Sequence, residues 1–206
     1  MFITLEGPEG SGKTTAVNYA VKKLEEMGYQ IVRTREPGGT PIAEQIRNVI
    51  LDKNNTAMDS RAEALLYAAS RRQHLVEKVW PAVKEGKIVI CDRYLDSSLA
   101  YQGGARGLGV ENILNINMFA TEGTFPDLTL LFDLDVKVGL ARISANANRE
   151  VNRLDLEKIE FHEKVRKTFL ELAERYPERF VIIDASKSQD EVAENTLKVI
   201  LERLCK

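Results

Sequence analysis

Hydrophobic positions along the chain fall into two alternating rhythms. Short apolar runs at Phe2–Glu6, Gln30–Thr34, Lys87–Asp92, Asp127–Asp133 and Arg179–Asp184 are β-branched or aromatic and only a few residues long. In the central runs consecutive residues are apolar, as in Ile88-Val89-Ile90. That pattern belongs to strands covered on both faces, as in parallel sheets. Between the runs the apolar spacing becomes helical. Val17, Ala20, Val21, Leu24 and Met27 form one stripe, stopped by Gly28, and Ile42, Ile46, Val49 and Ile50 form another. A long helix is expected from about Ser60 to Glu85, with Pro81 as a kink. Further helices are expected at Val110–Thr121, Lys137–Asn146, Leu156–Tyr176 and Gln189–Leu204. Strand alternating with helix throughout predicts a doubly wound α/β fold.

Two stretches fit neither rhythm. Gln102–Gly109 reads as a Gly-rich loop, and Asn146–Arg153 is polar and arginine-bearing, the composition of a lid. With no repeat or Pro/Gly-rich linker, residues 1–206 read as one domain, with the lid at about 142–153.

The sharpest chemical signal is Gly7-Pro8-Glu9-Gly10-Ser11-Gly12-Lys13-Thr14, which matches G-x-x-x-x-G-K-[ST] between a strand and a helix. Glycines let successive N–H groups point into one concavity, and the following helix adds the positive end of its dipole. Lys13 supplies a point charge for the β and γ phosphates of a nucleotide, and the Thr14 hydroxyl is a ligand for Mg²⁺. Asp92 and Arg93 follow the third strand at its carboxyl end, where open α/β sheets bind ligands. There Asp92 would hold the metal with Thr14, and Arg93 would face phosphate. Asp133 and Asp135 also end a strand; a helix cap is the preferred reading over a second metal site. His74, His162 and Trp80 read as packing or surface residues, with Trp80 also suited to a subunit contact.

Bulk properties narrow the class. Hydrophobic residues make up 44% and charged residues 29%, values of an ordinary globular chain. A net charge of −2 argues against a broad electrostatic grip on nucleic acid, so anion sites must be local. No apolar stretch approaches the length of a membrane span, nothing at the N-terminus resembles a signal peptide, and Cys91 and Cys205 suggest no disulfide framework. A cytoplasmic location is expected. No Asn-Lys-x-Asp segment of a guanine switch is present. Arg35, Arg47, Arg71, Arg72, Arg142, Arg149 and Arg153 supply the cations a small-metabolite kinase needs around a moving phosphoryl group. Rivals are a kinase for another nucleotide or metabolite, and an ATP-dependent switch without turnover.

The chain resembles thymidylate kinases, most closely the bacterial members. The resemblance rests on Gly7–Thr15, Arg35-Glu36-Pro37-Gly38-Gly39-Thr40, Tyr67–Arg72 and, most specifically, Asp92–Gly103. It continues through Pro126–Thr129, Asn152–Asp155 and Phe161–Arg166. It implies a three-layer P-loop fold with a five-stranded parallel sheet flanked by helices. It also implies transfer of the ATP γ-phosphoryl group to dTMP, giving ADP and dTDP, with Mg²⁺ as cofactor and a homodimer as the assembly. Residues carried over for ATP are Gly7, Pro8, Glu9, Gly10, Ser11, Gly12, Lys13, Thr14, Thr15, Arg142 and Arg153. For the acceptor, Tyr67 would lie against the thymine ring, Arg71 and Gln102 would bond the base edge, and Ser98 would line the pocket. Tyr101 would crowd the 2′ position, Arg47 and Arg93 would hold the monophosphate, and Glu36 would border the site. Glu9 would contact the deoxyribose or metal-bound water. The loop interior carries no arginine, so the resemblance implies that the lid supplies it, with Arg149 the first candidate. Lys13, Arg93, Arg149, Asp92 and Glu9 are then the expected catalytic set.

Overall fold

The computed structural model describes residues 1–145 and 153–205. Its strands are β1 (Phe2–Glu6), β2 (Ile31–Arg35), β3 (Ile88–Asp92), β4 (Leu128–Asp133) and β5 (Phe180–Asp184). They form one parallel sheet in the order β2-β3-β1-β4-β5. β1, β3 and β4 are buried almost throughout, which is what their unbroken apolar runs require. Side chains alternate between two cores. Ile88 and Ile90 face one way with Ile3, Leu5, Leu128 and Leu130, while Val89 and Cys91 face the other with Phe2 and Leu131.

Helices cover both faces. α1 (Lys13–Glu26) and α9 (Gln189–Leu204) pack together over the first core. The second lies beneath α3 (Ser60–His74), α6 (Val110–Thr121) and α8 (Ile159–Arg175). α2 (Pro41–Leu51) packs on α3, and α7 (Val136–Ser144) follows β4. The arrangement is the three-layer α/β fold anticipated from the alternation.

Three elements depart from the sequence expectation. The long helix expected over 60–85 is helical without interruption through Lys84 but widens partway. A π-helical turn at Leu75–Val79, in which Trp80 N donates to Leu75 O, separates α3 from α4 (Trp80–Lys84). Pro81 has no N–H and its ring crowds the carbonyl four residues back, so the backbone expands just ahead of it. The Gly-rich stretch from Gln102 is also not a loop until Arg106. After α5 (Leu95–Ser98) the chain continues as a π-helical segment over Leu99–Ala105. Gly103 and Gly104 serve close packing: a Cβ on Gly104 would lie 2.1 Å from Thr168 Oγ1 of α8. Finally, α8 begins at Ile159, after a 3₁₀ turn at Arg153–Leu156, rather than at Leu156.

Asp135 caps α7, accepting from the Lys137 and Val138 amides, as expected. Asp133 does not. It forms a two-pronged ion pair with Arg166 of α8 at 2.7 and 2.8 Å, which also accounts for it without a metal.

Candidate active site

The carboxyl ends of β1 and β3 lie side by side, with Leu5 in register with Asp92. This is where the strand order reverses direction, the usual location of a ligand crevice. The loop Gly7–Gly12 leaves β1 and runs into α1, with Gly7, Gly10 and Gly12 all at positive φ. The loop packs backbone to backbone on α7: a Cβ on Gly10 would lie 2.3 Å from Gly139 O, and one on Gly139 would lie 2.4 Å from Glu9 O. A side chain at either position would force the two backbones apart.

Lys13 points back over its own loop. Its Nζ donates to Gly7 O at 3.1 Å, Pro8 O at 3.0 Å and Ser11 Oγ at 3.2 Å. Burial, reinforced by the nearby Arg93 charge, lowers the ammonium to about 8. A buried ammonium held by neutral loop oxygens, at the start of a helix, is a receptor for a polyanion.

Arg93 is held with unusual insistence. It sits at φ 68, in the left-handed region that non-glycine residues seldom adopt. Its Nη1 donates to Gly7 O and Ser97 Oγ, its Nη2 donates to Glu9 Oε1 at 2.5 Å, and its guanidinium lies 5.1 Å from the Tyr101 ring centre. Burial opposes the charge, but Tyr101, Glu9, Asp92 and Glu6 keep it protonated well above its usual range. Beneath it Glu6 accepts from Tyr94 N at 2.8 Å and Ser97 Oγ at 2.5 Å. Burial, then the Asp96 carboxylate, push Glu6 up to about 8. Asp96 itself is paired twice with Arg179.

Two clefts meet here. The first, of about 580 Å³, is lined by Glu9 to Ala16 and by Asp92, Arg93, Arg142 and residues of the β5–α9 turn. The second, of about 180 Å³, is lined by Glu36, Arg47, Tyr67, Arg71, Ser98, Tyr101 and Gln102, among others. Glu9, Asp92 and Arg93 line both. Asp92 and Thr14 share the first cleft, and among the described residues the Asp92 carboxylate accepts no hydrogen bond. A carboxylate beside a hydroxyl is the hard oxygen set that Mg²⁺ prefers.

Side chains of the second cleft are braced from behind. Arg71 is fully buried; its Nε donates to Glu36 at 2.7 Å and its Nη1 to Ser98 at 3.1 Å and to Asn117. Gln102 Nε2 donates to Glu63 at 2.8 Å, and Arg47 donates to Pro37 O at 3.0 Å. Tyr67 and Tyr101 are buried, with the Tyr101 hydroxyl unpartnered among the described residues. Glu36, His74 and Cys91 bring ligand-type atoms within 4.8 Å of one another. Each is engaged by protein, since Glu36 accepts from Arg71 and His74, His74 also meets Thr34, and Cys91 donates to Arg93 O. The cluster is a hydrogen-bond network rather than a cation site.

The thymidylate kinase family model matches residues 5–196. A thymidylate kinase from Clostridium novyi is 61% identical over 193 residues, covering 94% of each chain. One from Halalkalibacterium halodurans is 59% identical, covering 98% of this chain and 97% of its own. The chain belongs to the thymidylate kinase family. The crystal structure of a thymidylate kinase from Ehrlichia chaffeensis aligns with a TM-score of 0.79 at 34% identity, covering 98% of both chains.

For this family member, most of the described residues singled out in the sequence line the two clefts, and Gly7, Pro8, Arg72 and Arg153 line neither. Arg153 is buried elsewhere, with Nε donating to Ile50 O at 3.0 Å and Nη2 pairing with Glu63; it lines neither cleft. Its charge is neutralised by a buried carboxylate, so it ties the chain to α2 and α3 instead of facing a nucleotide. Arg149 lies outside the described residues. His74 is wholly buried, in line with the packing reading. Sequence reasoning missed Ala185, Lys187 and Gln189 in the first cleft and Tyr94, Ser97 and Leu154 in the second. The first group follows β5, so the strand-end rule used for Asp92 would have found it.

Proposed function

We propose that this chain is an ATP:dTMP phosphotransferase, forming ADP and dTDP for dTTP synthesis, and that residues 1–206 act as one kinase domain. The observation that carries this reading is the junction of two cation-bearing clefts at Glu9, Asp92 and Arg93. A donor polyphosphate in one and an acceptor monophosphate in the other bring the acceptor oxygen up to the γ-phosphorus there, opposite the leaving ADP oxygen, which is the positioning term of phosphoryl transfer.

In this reading Gly7–Thr15 wrap the donor phosphates, whose negative charge stabilises the Lys13 ammonium. Arg142, whose Nη1 donates to Ala185 O at 3.2 Å, borders the far end of the donor cleft. Mg²⁺ would be held by Thr14 and Asp92, where it would neutralise phosphate charge. Arg93 is rigid and permanently charged at the junction, suited to both the acceptor phosphate and the charge of the transferring group. Arg47 adds a second cation to the acceptor side. Tyr67 offers a ring face to the base, Arg71, Gln102 and Ser98 its polar edge, and Tyr101 and Glu36 border the sugar and phosphate. No strong general base is needed, because a monophosphate oxygen is already an anion at neutral pH.

The working assembly is read as a homodimer. Leu65 and Val76 of the 60–84 helical run and Met118 and Phe119 of α6 are exposed, Phe119 by 90%, and α3 and α6 pack on each other. Large apolar surface of that kind calls for a partner.

The reaction is tested by following label from γ-³²P-ATP. Radioactivity appearing in dTDP supports it; label appearing only in inorganic phosphate, with or without dTMP, refutes it in favour of an ATPase or switch.

A further inference from the structure

His74 does not line either cleft, yet it stands one step behind the acceptor site. It is wholly buried on α3, three residues beyond Arg71 and on the same helical face. Its Nδ1 lies 2.9 Å from Glu36 Oε1, and since a carboxylate oxygen accepts, Nδ1 donates. Its Nε2 meets Thr34 Oγ1 at 2.6 Å. The other oxygen of Glu36 receives Arg71 Nε at 2.7 Å. The ring also abuts the loop after β2, where a Cβ on Gly39 would strike His74 Cδ2 at 2.8 Å. The line Thr34–His74–Glu36–Arg71 therefore runs from β2 through α3 into the acceptor cleft.

We infer that His74 is a positioning residue for the acceptor: it fixes the Glu36 carboxylate, which fixes the rotamer of the Arg71 guanidinium that meets the base. The inference rests on the acceptor reading given above. Without the His74 donor, Glu36 would be a buried carboxylate bonded on one side only, free to rotate and carry Arg71 with it. An arginine aimed at a flat base edge loses its value once its fork turns. The donor cleft, reached from β1 and α1, is not on this line.

Three substitutions separate the roles of the two ring nitrogens. In His74→Asn the amide can stand where Nδ1 stands and donate to Glu36. In His74→Gln the amide reaches the Nε2 position near Thr34 and leaves Glu36 without its donor. His74→Leu supplies neither. The expected result is an acceptor KM raised roughly tenfold in the Gln and Leu variants and restored to within about twofold in the Asn variant. The KM for ATP stays at the wild-type value in all three, and discrimination of dTMP over dCMP falls in parallel with the loss. A purely structural histidine would lower the melting temperature of all three without this split.

An acceptor KM unchanged in His74→Gln, or raised equally in His74→Asn, overturns the relay, as does an equal rise in the KM for ATP. Should the Leu variant fail to fold, the Asn–Gln pair decides. Arg71→Ala is the control for the underlying reading. If it too leaves the dTMP KM unchanged, the acceptor assignment is wrong and the relay falls with it; if it raises KM while His74→Gln does not, only the relay fails.

Discussion

Lys13 and Glu6 sit seven positions apart in the chain, and both are buried ionisable groups held away from their usual protonation ranges at the same site. Lys13 is braced by loop carbonyls and faces the first cleft. Lys13→Ala should leave the melting temperature near wild type but reduce kcat by at least about 100-fold; near-normal turnover would remove Lys13 from the mechanism. Glu6 bears on stability. Its folded-state value is about 8 against an ordinary 4.5, mainly through burial, with Asp96 adding to it and Arg93 opposing it. Between those values the native protein holds a proton that the unfolded chain has released. Stability therefore declines as pH rises through this window, by at most about 1.4 kcal/mol per pH unit from this group. Glu6→Gln removes the titration. Denaturation at pH 5, 6.5 and 8 should show the wild type losing ground to the variant as pH rises, and parallel curves would show that Glu6 ionises normally. None of this was visible in the sequence, where Glu6 is merely the last residue of an apolar strand. Its partners Tyr94, Ser97 and Asp96 are about ninety residues away, and only the adjacency of β1 and β3 unites them.

The phosphate loop depends on an element that the motif does not include. Gly139 on α7 meets the backbone carbonyl of Glu9 so closely that a methyl group at 139 would stand 2.4 Å from it. Gly139→Ala should cost about 1–3 kcal/mol through overpacking and lower turnover by shifting Glu9 and its bond to Arg93. Calorimetry with steady-state kinetics tests this; unchanged stability would mean that α7 moves away freely. Elements with a strict rhythm were legible: the five strands, α6 and α9 lie within a residue of their expected bounds. The failures share one physical cause, contacts that sequence spacing does not encode. Gly103 and Gly104 read as loop punctuation, yet their lack of a side chain lets the 99–105 segment sit against α8 and α6. Pro81 was read as a kink, and the π-turn just ahead of it was not anticipated. Arg153 looked like a lid cation, and a buried carboxylate on α3 claims it.

At the scale of the whole molecule the sheet order creates the site. β3, β1 and β4 bring together ends that are far apart in sequence, and the two clefts open on either side of Asp92 and Arg93. The motif at Gly7–Thr14 revealed the donor side by itself. The acceptor side was legible only through resemblance, because Tyr67, Arg71 and Gln102 carry no local signature of a base pocket. Exposed apolar residues on α3 and α6 extend the account to assembly. Phe119→Asp should shift the protein from dimer to monomer in sedimentation analysis, and a wild-type monomer would refute the dimer reading. The central claim is that the second cleft accepts a thymidine monophosphate for phosphorylation. The most direct test is ATP-dependent ADP release measured across a panel of nucleoside monophosphates. The account predicts release driven strongly by dTMP and weakly by purine and ribose monophosphates; release that no monophosphate accelerates, or that another accelerates more than dTMP, would contradict it.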